Sequence, residues 1–348
     1  MSEFITVERS HPQFKDYLSG EFSSEYRALP VRSLNIDRAS EKVTFQIVKV
    51  GDLDKPSLPL VLAQIFRLDL LTLTLTPAAT VAALLANQLT EPHLIFLTLL
   101  SLAFLHGAAF SRNDFVDHMR GIDRLNEKGG SRVIQKGWLR AITVQRLYWG
   151  LLVIATLLAA PVLTRMPELI FLAIAVAGLG VLGYSKLRWG SGHWMFGDLA
   201  VFLCLGPMLA LGMSWVVARE VSGFMTWVGV YFGLLSLAYL EIRHTISNVV
   251  DDEAGLATLP VRWGFDRAKL VIVGLLVAAA VLAAYLISIV QPGPLSLLGL
   301  PLVAALAWVA QKGFAVSSPL SSGLYELPKK VAQVHLVSGF YLILVSML

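Results

Sequence analysis

The fold is decided by the run LVIVGLLVAAAVLAAYLISIVQPGPLSLLGLPLVAALAWVAQ, residues 270–311, which contains no Asp, Glu, Lys or Arg over 42 positions. A helix crosses the hydrocarbon core of a bilayer in about 20 apolar residues, so this run is long enough for two crossings. The turn sequence Gln291-Pro292-Gly293-Pro294 lies in its middle and does not suit the interior of a straight helix. The run therefore predicts two membrane-spanning helices joined by a tight turn.

Similar charge-free runs recur along most of the chain. They cover residues 70–90, 92–111, 147–164, 169–185, 199–218, 221–240 and 331–348. Together with the divided run they predict nine transmembrane helices. Because the bilayer interior offers no water to exposed backbone amides, these segments must be helical, and the predicted fold class is an all-α polytopic membrane bundle.

The composition of the 348-residue chain agrees with this prediction. Hydrophobic residues make up 56% and charged residues only 15%, whereas a soluble domain carries about 25% charged residues. This balance excludes a disordered chain and a water-soluble globular enzyme. The single cysteine, Cys204, excludes an internal disulfide and a cysteine-based zinc or iron–sulfur site.

The positive charges indicate how the bundle is oriented. When nine spans alternate sides, nearly all Lys and Arg residues of the loops fall on one side, and the other side carries only Arg165 and Arg219. This asymmetry predicts a plasma (inner) membrane protein whose N-terminus and long loops face the cytoplasm and whose C-terminus lies outside. A net charge of +4 on such a protein suits anionic membrane lipid, and no nucleic acid is expected as a partner.

The N-terminal segment has an ordinary soluble composition. We divide the chain into a cytoplasmic extension, residues 1–60, and a transmembrane domain, residues 61–348. Phe14, Tyr17 and Leu18 recur at helical spacing, whereas Val43, Phe45 and Ile47 alternate as in a strand. The extension is therefore either a small cap or interfacial helix, or a loosely ordered tail.

The connection after the second predicted span, residues 112–140, concentrates carboxylates beside an apolar bundle. If the helix continues through Asp117, then Asn113, Asp114 and Asp117 share one face. Asp123 joins them only if the helix breaks, and Gly121 is where it can break. Carboxylates this close repel one another, and a hard cation such as Mg²⁺ relieves the repulsion while keeping coordination sites for phosphates.

A second polar stripe follows the sixth predicted span. Glu241, His244, Asn248 and Asp251 lie at spacings of three, four and three, so they share a helix face, and Asp252 borders it. Ionisable residues within or beside a span are costly and indicate function. The two acidic helix ends predict a cage closed from two sides.

At this point the residues resemble a family. The string Asn113-Asp114-Phe-Val-Asp117-His-Met-Arg-Gly121-Ile-Asp123 is similar to the first aspartate-rich motif of the UbiA superfamily of intramembrane prenyltransferases, and its spacing is closest to the branch that prenylates 1,4-dihydroxy-2-naphthoate for menaquinone. The resemblance extends to Gly197-Asp198 and to Gly255 with the following Thr258-Leu259-Pro260-Val261-Arg262. It covers about residues 60–348.

The second motif departs from this branch. The usual pattern is Asn-Asn-x-Arg-Asp-x-x-x-Asp, and alignment on Gly255 places Asp251 on the final aspartate. Ser247 stands where the earlier aspartate is expected, and Arg243 and His244 stand where the paired asparagines are expected. Asn248 and Glu241 could compensate as oxygen ligands.

The resemblance implies a polyprenyl diphosphate, an aromatic acceptor and Mg²⁺, and it implies roles for residues of this chain. The implied catalytic residues are Asp114, Asp117 and Asp251. The implied metal ligands are Asn113, Asp114, Asp117, Asp123, Asn248, Asp251 and Asp252. Arg132, Lys136 and Lys186 are the candidates for binding the diphosphate, and Tyr184, His244 and Glu241 for lining the substrate pocket.

Two other functions are compatible with the same residues. The ionisation chemistry could serve a hydroxybenzoate, a ring of specialised metabolism, or no acceptor at all, as in intramembrane terpene cyclases. Alternatively, the polar stripes could line a path in a non-catalytic lipid-binding or transport protein.

Overall fold

The computed structural model describes residues 3–36, 38–125, 129–184 and 194–348. Its N-terminal part contains three antiparallel strands, β1 (Glu3–Glu8), β2 (Tyr26–Leu34) and β3 (Lys42–Lys49), in the order β1-β3-β2. The predicted strand alternation is confirmed, because Val43, Phe45 and Ile47 are all buried. The short helix α1 (Phe14–Leu18) packs Phe14 and Leu18 into the same cluster. We call residues 3–49 the N-terminal cap.

The rest of the chain is helical. Its α-helices are α2 (Leu58–Ile65), α3 (Leu71–Leu84), α4 (Pro92–Arg120), α5 (Ile122–Leu125), α6 (Ala141–Arg165), α7 (Ile170–Val176), α8 (Trp194–Cys204), α9 (Pro207–Ala218), α10 (Gly223–Glu253), α11 (Leu259–Trp263), α12 (Phe265–Val290), α13 (Leu300–Phe314) and α14 (Ser322–Ser346). Helix α7 continues into a π-helix, Ala177–Gly183. The predicted turn in the decisive run is confirmed, since α12 ends at Val290 and the short helix Gly293–Gly299 precedes α13.

Six segments of the described chain are long and apolar enough to cross a membrane. They are Pro92–Arg120, Ala141–Arg165, Phe196–Ala218, Gly223–Glu253, Phe265–Val290 and Gly293–Phe314. The pair Leu58–Ile65 and Leu68–Leu84, bent by 47°, makes a seventh if it forms one span. The apolar helix Pro167–Gly183 is shorter, and α14 carries Lys329 and Lys330 in its N-terminal half. The count of nine spans therefore stays a prediction.

Helix α10 is the centre of the bundle. It contacts α3, α8, α9, α11, α12 and α14, and its buried side chains include Tyr231, Phe232 and Leu235. The break between α8 and α9 lies directly on α10, because a Cβ atom at Gly206 would be 2.5 Å from the carbonyl oxygen of Gly229. Only a glycine allows backbones to approach this closely. The close crossing fixes α8 beside α10.

The N-terminal cap packs against the chain that follows α4. The imidazole Nε2 of His118 lies 2.7 Å from the carbonyl oxygen of Leu18. Arg124 Nη2 lies 2.9 Å from Glu41 Oε1, and both side chains are almost completely buried. Arg124 Nη1 also donates to Ser33 Oγ at 3.2 Å. The cap is therefore an ordered structure attached to the first acidic connection, and it is not a loosely ordered tail.

Candidate active site

A cavity of about 240 Å³ lies among α3, α4, the α7 segment, α8 and α10. Most of its wall is apolar and includes Leu102, Leu105, Val181, Val201 and Leu205. Where α4 and α10 end, the wall becomes polar. The polar wall is formed by Asn113, Asp117, Asp123, Ser247 and Asp251, which we call the acidic end of the cavity. The two predicted acidic helix ends therefore meet at one cavity.

Helix α4 continues through Asp117, as the sequence predicts, and ends at Gly121, whose φ is 94°. Asn113 and Asp117 lie one turn apart and both line the cavity. The amide Nδ2 of Asn113 donates to Asp117 Oδ2 at 2.8 Å. The Asp117 carboxylate is 5% exposed, so it is held in a fixed orientation inside a poorly solvated site.

Asp114 occupies a different place from the one predicted by the shared helix face. It is not among the described residues that line the cavity. Arg67 Nη2 lies 3.1 Å from Asp114 Oδ1, and the backbone N–H of Ser131 donates to Asp114 Oδ2 at 3.2 Å. Position 114 is one residue away from Asn113, and a step of 100° around the helix turns its side chain towards Arg67. Asp114 of α4 thus connects Arg67 and the loop at Ser131 to this helix, behind the acidic end.

Asp123 reaches the cavity because the helix breaks at Gly121, as predicted. The short helix α5 turns back, and Asp123 is only 4% exposed. The loop that returns to α6 covers it: a Cβ atom at Gly130, where φ is +64°, would lie 2.9 Å from Asp123 Oδ2. Burial raises the pKa of Asp123 well above its usual value, and the nearby carboxylates of Asp117 and Asp114 raise it further. Negative charge is therefore crowded at this end of the cavity.

On α10, the residues that face the cavity are displaced from the predicted stripe. Leu240, Arg243, His244, Ser247 and Asp251 line the cavity. Asn248 is half-buried and Asp252 is exposed, and neither is among the described lining residues. The helix is rotated so that the side of Leu240 and Ser247 faces inwards, which turns position 248 away.

Ser247 takes part in the site although the resembling motif carries an aspartate there. Its hydroxyl donates to Asp251 Oδ2 at 2.8 Å, one helical turn further along α10. Asp251 itself is 1% exposed. The serine orients the remaining carboxylate of the second motif and adds no charge of its own.

Glu241 and His244 form a buried group with Asp198 of α8. His244 Nδ1 lies 3.8 Å from Glu241 Oε1 and 3.9 Å from Asp198 Oδ1. His244 lines the cavity, whereas Glu241 is buried behind it with 2% exposure. Sequence reasoning proposed His244 and Glu241 for the pocket and missed the ionisable role of Asp198, whose signal was a carboxylate directly before the apolar run 199–218.

The basic residues at the cavity differ from those predicted. Arg132 is not among the described lining residues, and its Nη1 donates to the backbone oxygen of Asp123. Lys136 is exposed, and its ammonium lies 4.4 Å from the ring centroid of Trp138. Lys186 lies outside the described residues. Arg67 and Arg243 line the cavity instead, and both could have been noticed as lone cations at the ends of apolar runs.

Aromatic and polar side chains line the remaining wall. Tyr184, a predicted pocket residue, borders the cavity at the end of the π-helix, and Tyr239 borders it from α10. His106 lines it from α4 and shares a hydrogen bond of 2.7 Å with Thr74 Oγ1. The cavity thus combines an acidic end, two arginines and a long apolar wall.

The bundle and its acidic cavity define an integral membrane protein with an internal site that opens between helices. The family model described as the UbiA prenyltransferase family matches residues 74–321, and the chain belongs to this family. The family predicted from the aspartate-rich motifs is therefore confirmed. The N-terminal cap lies outside the matched residues.

Curated relatives include two bacterial proteins named 1,4-dihydroxy-2-naphthoate octaprenyltransferase. The chain is 30% identical to the one from Haemophilus influenzae over 182 residues, which are 50% of this chain and 58% of the relative. It is 32% identical to the one from Mycobacterium tuberculosis over 183 residues, 49% of this chain and 58% of the relative. The matches thus span less than two thirds of either relative's length.

Solved structures show the same fold. The apo UbiA homolog from Aeropyrum pernix K1 is 19% identical and superposes with a TM-score of 0.62, covering 80% of this chain and 98% of that one. The UbiA homolog from Archaeoglobus fulgidus bound to GPP and Mg²⁺ is 16% identical, with a TM-score of 0.57 and coverage of 83% and 100%. The predicted UbiA-like helical bundle is therefore confirmed at the level of the fold.

Proposed function

We propose that this protein is a Mg²⁺-dependent prenyltransferase that moves a polyprenyl group from its diphosphate to an aromatic ring. The first candidate acceptor is 1,4-dihydroxy-2-naphthoate, the acceptor named for the two bacterial relatives. The observation that carries the proposal is that Asp117 of α4 and Asp251 of α10, far apart in the sequence, line the acidic end of one cavity. This arrangement suits a cation-bound leaving group.

The donor atoms at the acidic end fit Mg²⁺. Asn113, Asp117, Asp123 and Asp251 offer amide and carboxylate oxygens, the ligands that this cation prefers. Burial, and after it the nearby carboxylates of Asp117 and Asp114, raise the pKa of Asp123. A divalent cation at the acidic end would offset the repulsion between these carboxylates. When bound there, Mg²⁺ would act as a Lewis acid that neutralises the charge developing on the diphosphate.

Arg67 and Arg243 add positive charge along the cavity wall. A guanidinium donates from a planar fork that matches phosphate oxygens, so these two side chains suit the diphosphate end of the substrate. Arg243 stands where the resembling motif has an asparagine, and it supplies charge in a site that lacks the second-motif carboxylate at Ser247. The roles predicted for Arg132 and Lys186 stay predictions.

The apolar wall would receive the first isoprene units. Leu102, Leu105 and Val181 exclude water from the carbon that leaves the diphosphate, and the aromatic face of Tyr184 stabilises the positive charge that develops on it. The cavity is too small for a long polyprenyl chain, so the remainder of the tail extends between helices towards membrane lipid.

Orientation and location are part of the same proposal. Nine spans with a cytoplasmic N-terminus in the plasma membrane place the acidic end beside the inner headgroups, where a charged diphosphate is accessible from the cytoplasm. Under this proposal residues 1–60 are a cytoplasmic extension of the transmembrane domain, residues 61–348.

The experiment is an acceptor screen with the purified full chain in lipid vesicles. Mg²⁺ and prenyl diphosphates of graded length are supplied with dihydroxynaphthoate, with hydroxybenzoate or with no acceptor, and the products are identified by mass. We expect a prenylated naphthalene product, and we expect Asp117→Asn to lower its rate by about 100-fold or more. Asp266→Asn, an identical change at a carboxylate that is 88% exposed, is the matched control and should leave the rate unchanged.

Each other outcome contradicts part of the proposal. A prenylated hydroxybenzoate in place of the naphthalene product replaces the acceptor, and a cyclised hydrocarbon formed without an acceptor indicates a terpene cyclase. Tight binding of the diphosphate without turnover refutes the enzyme and favours a lipid-binding or transport protein. Turnover that survives unchanged in Asp117→Asn refutes the assignment of the acidic end.

A further inference from the structure

The cavity borders a second ionisable group, separate from the acidic end. Asp198, Glu241 and His244 place one ligand-type atom each within 4.8 Å of one another, and this is the one such group of three found in the described part of the chain. The side chains of Glu241 and His244 are 2% and 6% exposed, and that of Asp198 is 14% exposed. Such a group is costly to bury inside an apolar bundle and indicates a function.

Of these three residues, only His244 is among the described residues that line the cavity. The Nδ1 atom of His244 is on the side of the two carboxylates, and the residue lines the cavity on the same face of α10 as Ser236. Ser236 is an independent sign of a polar occupant: the residue is 1% exposed and lines the cavity, and its hydroxyl has no hydrogen-bond partner in the described structure. Buried hydroxyls are normally hydrogen-bonded, so a ligand atom suits this position.

We propose that His244 is the general base that takes the hydroxyl proton of the aromatic acceptor. Glu241 and Asp198 are positioning residues: their carboxylates lie 3.8 and 3.9 Å from Nδ1, and their charge stabilises the imidazolium once Nε2 has accepted the proton. The inference rests on the proposed prenyl transfer and deepens it, because it names a class of acceptor: a hydroxyarene that enters the site with its hydroxyl protonated.

The proton and electron balance of the step is simple. The acceptor O–H bond breaks, an N–H bond forms on His244, and the ring carbon of the resulting oxyanion bonds to the allylic carbon of the donor. The C–O bond to the diphosphate breaks, and its electron pair leaves on the diphosphate. The alkylated ring then loses its ring proton to the diphosphate oxygens, and His244 returns its proton to the product oxygen.

The departure of this chain from the resembling motif also supports a base at position 244. His244 stands where an asparagine is expected, and an amide cannot accept a proton near neutral pH, whereas an imidazole can. The substitution adds acid–base capacity on the wall of the cavity, about two helical turns from Asp251.

The test compares two acceptors that differ in the charge of their hydroxyl. One is a naphthol that is protonated at the assay pH, and the other is a naphthol whose hydroxyl is acidified by nitro substitution and is already ionised. We expect His244→Asn to lower kcat about 100-fold for the protonated acceptor, but less than about threefold for the ionised one. The Kd for prenyl diphosphate with Mg²⁺ should stay unchanged. His93→Asn, the same change at a histidine that is 59% exposed, should alter neither rate.

The remaining outcomes overturn one claim or the other. An equal loss for both acceptors shows a merely structural role for His244, and no loss shows that it is not the base. If His244→Asn does not fold, Glu241→Gln carries the same comparison, with about a tenfold loss expected for the protonated acceptor only. Wild-type protein that prenylates only the ionised acceptor refutes the base and leaves the proposed function standing. Wild-type protein that prenylates neither naphthol refutes the inferred acceptor class, and if it prenylates dihydroxynaphthoate no better, the proposed function is refuted as well.

Discussion

Replacing Asp114 by asparagine removes one charge from a buried ion pair behind the acidic end. Asp114 is 2% and Arg67 17% exposed, and their charged atoms lie 3.1 Å apart. At an effective dielectric constant of about 20, their attraction is about 5 kcal/mol, and removing one partner of a buried pair costs about 3–5 kcal/mol. Asparagine keeps an acceptor for Arg67 and relieves the repulsion from Asp123. We therefore expect a loss of about 3 kcal/mol in the free energy of unfolding.

Tryptophan fluorescence during SDS titration in mixed micelles measures that free energy. Arg67→Met and the double variant complete a cycle, and we expect the double variant to be more stable than the sum of the single losses by about 2 kcal/mol. Asp266→Asn, at an exposed carboxylate, should cost less than about 0.5 kcal/mol. A loss below about 1 kcal/mol for Asp114→Asn, or strict additivity in the cycle, would show that the pair does not stabilise this part of the structure.

Three further outcomes can be measured with the same protein. Gly130→Ala should weaken the dependence of turnover on Mg²⁺, because the new Cβ atom would lie 2.9 Å from Asp123 Oδ2 and the alanine would have to keep a φ of +64°. Gly150→Ala, whose new Cβ atom has nothing within 4 Å, is the control and should not change this dependence. Equal Mg²⁺ titration curves for the two variants would contradict the prediction. Ser247→Ala removes the hydrogen bond to Asp251, worth about 1.5 kcal/mol, and should raise the half-saturating Mg²⁺ concentration about tenfold; an unchanged value shows that the serine does not orient the carboxylate. Gly206→Ala places Cβ 2.5 Å from a backbone oxygen and should lower the free energy of unfolding by about 3 kcal/mol in the SDS titration; a loss within error would mean that the helices separate without cost.

The helices of the bundle were largely predictable, because charge-free runs of membrane length have one solution in lipid. The run of residues 270–311 divides at its Pro-Gly-Pro turn as expected. The bend of 47° between Leu58–Ile65 and Leu68–Leu84 was not predictable, since the sequence there carries no proline to mark it. The break lies at Arg67, whose φ of 47° is left-handed, and an arginine gives no sequence signal for that conformation.

The two acidic helix ends in the sequence predicted that Asp117 and Asp251 line one site. The sequence did not predict which face of each helix turns towards the cavity. Spacings along α10 define which residues share a face, and they leave the rotation of that face about the helix axis to tertiary packing. Ser247 and Asn248 differ by one residue's angle around the helix. A rotation of α10 by half of that angle decides which of the two side chains faces the cavity. Packing of this kind joins residues distant in sequence, as where Gly206 lies directly against Gly229 and Gly233 of α10.

Basic residues were the hardest part of the site to assign. Lys136 belongs to a loop rich in charge, and its long side chain lies over Trp138 on the surface. Arg67 was missed because a cation at the start of an apolar run normally marks a membrane boundary. Its burial depends on Asp114, a partner 47 positions away, and pattern reasoning within one segment cannot detect such a pair.

In the N-terminal cap, β3 was visible from its alternating side chains, whereas β2 was not. The burial pattern of β2 is irregular, and its register shifts between Pro30 and Arg32. Irregular strands lose the period of two on which sequence reasoning depends.

The buried ion pair between Glu41 and Arg124 attaches the first fifty residues to the connection that follows α4. A chain that began at the first membrane helix would leave the buried guanidinium of Arg124, one residue from Asp123, without its contacts to Glu41 and Ser33, and losing the partner of a buried charge is destabilising. The N-terminal sheet is in this sense part of the support of the acidic end, because β3 follows Glu41 directly and pairs with the whole length of β1.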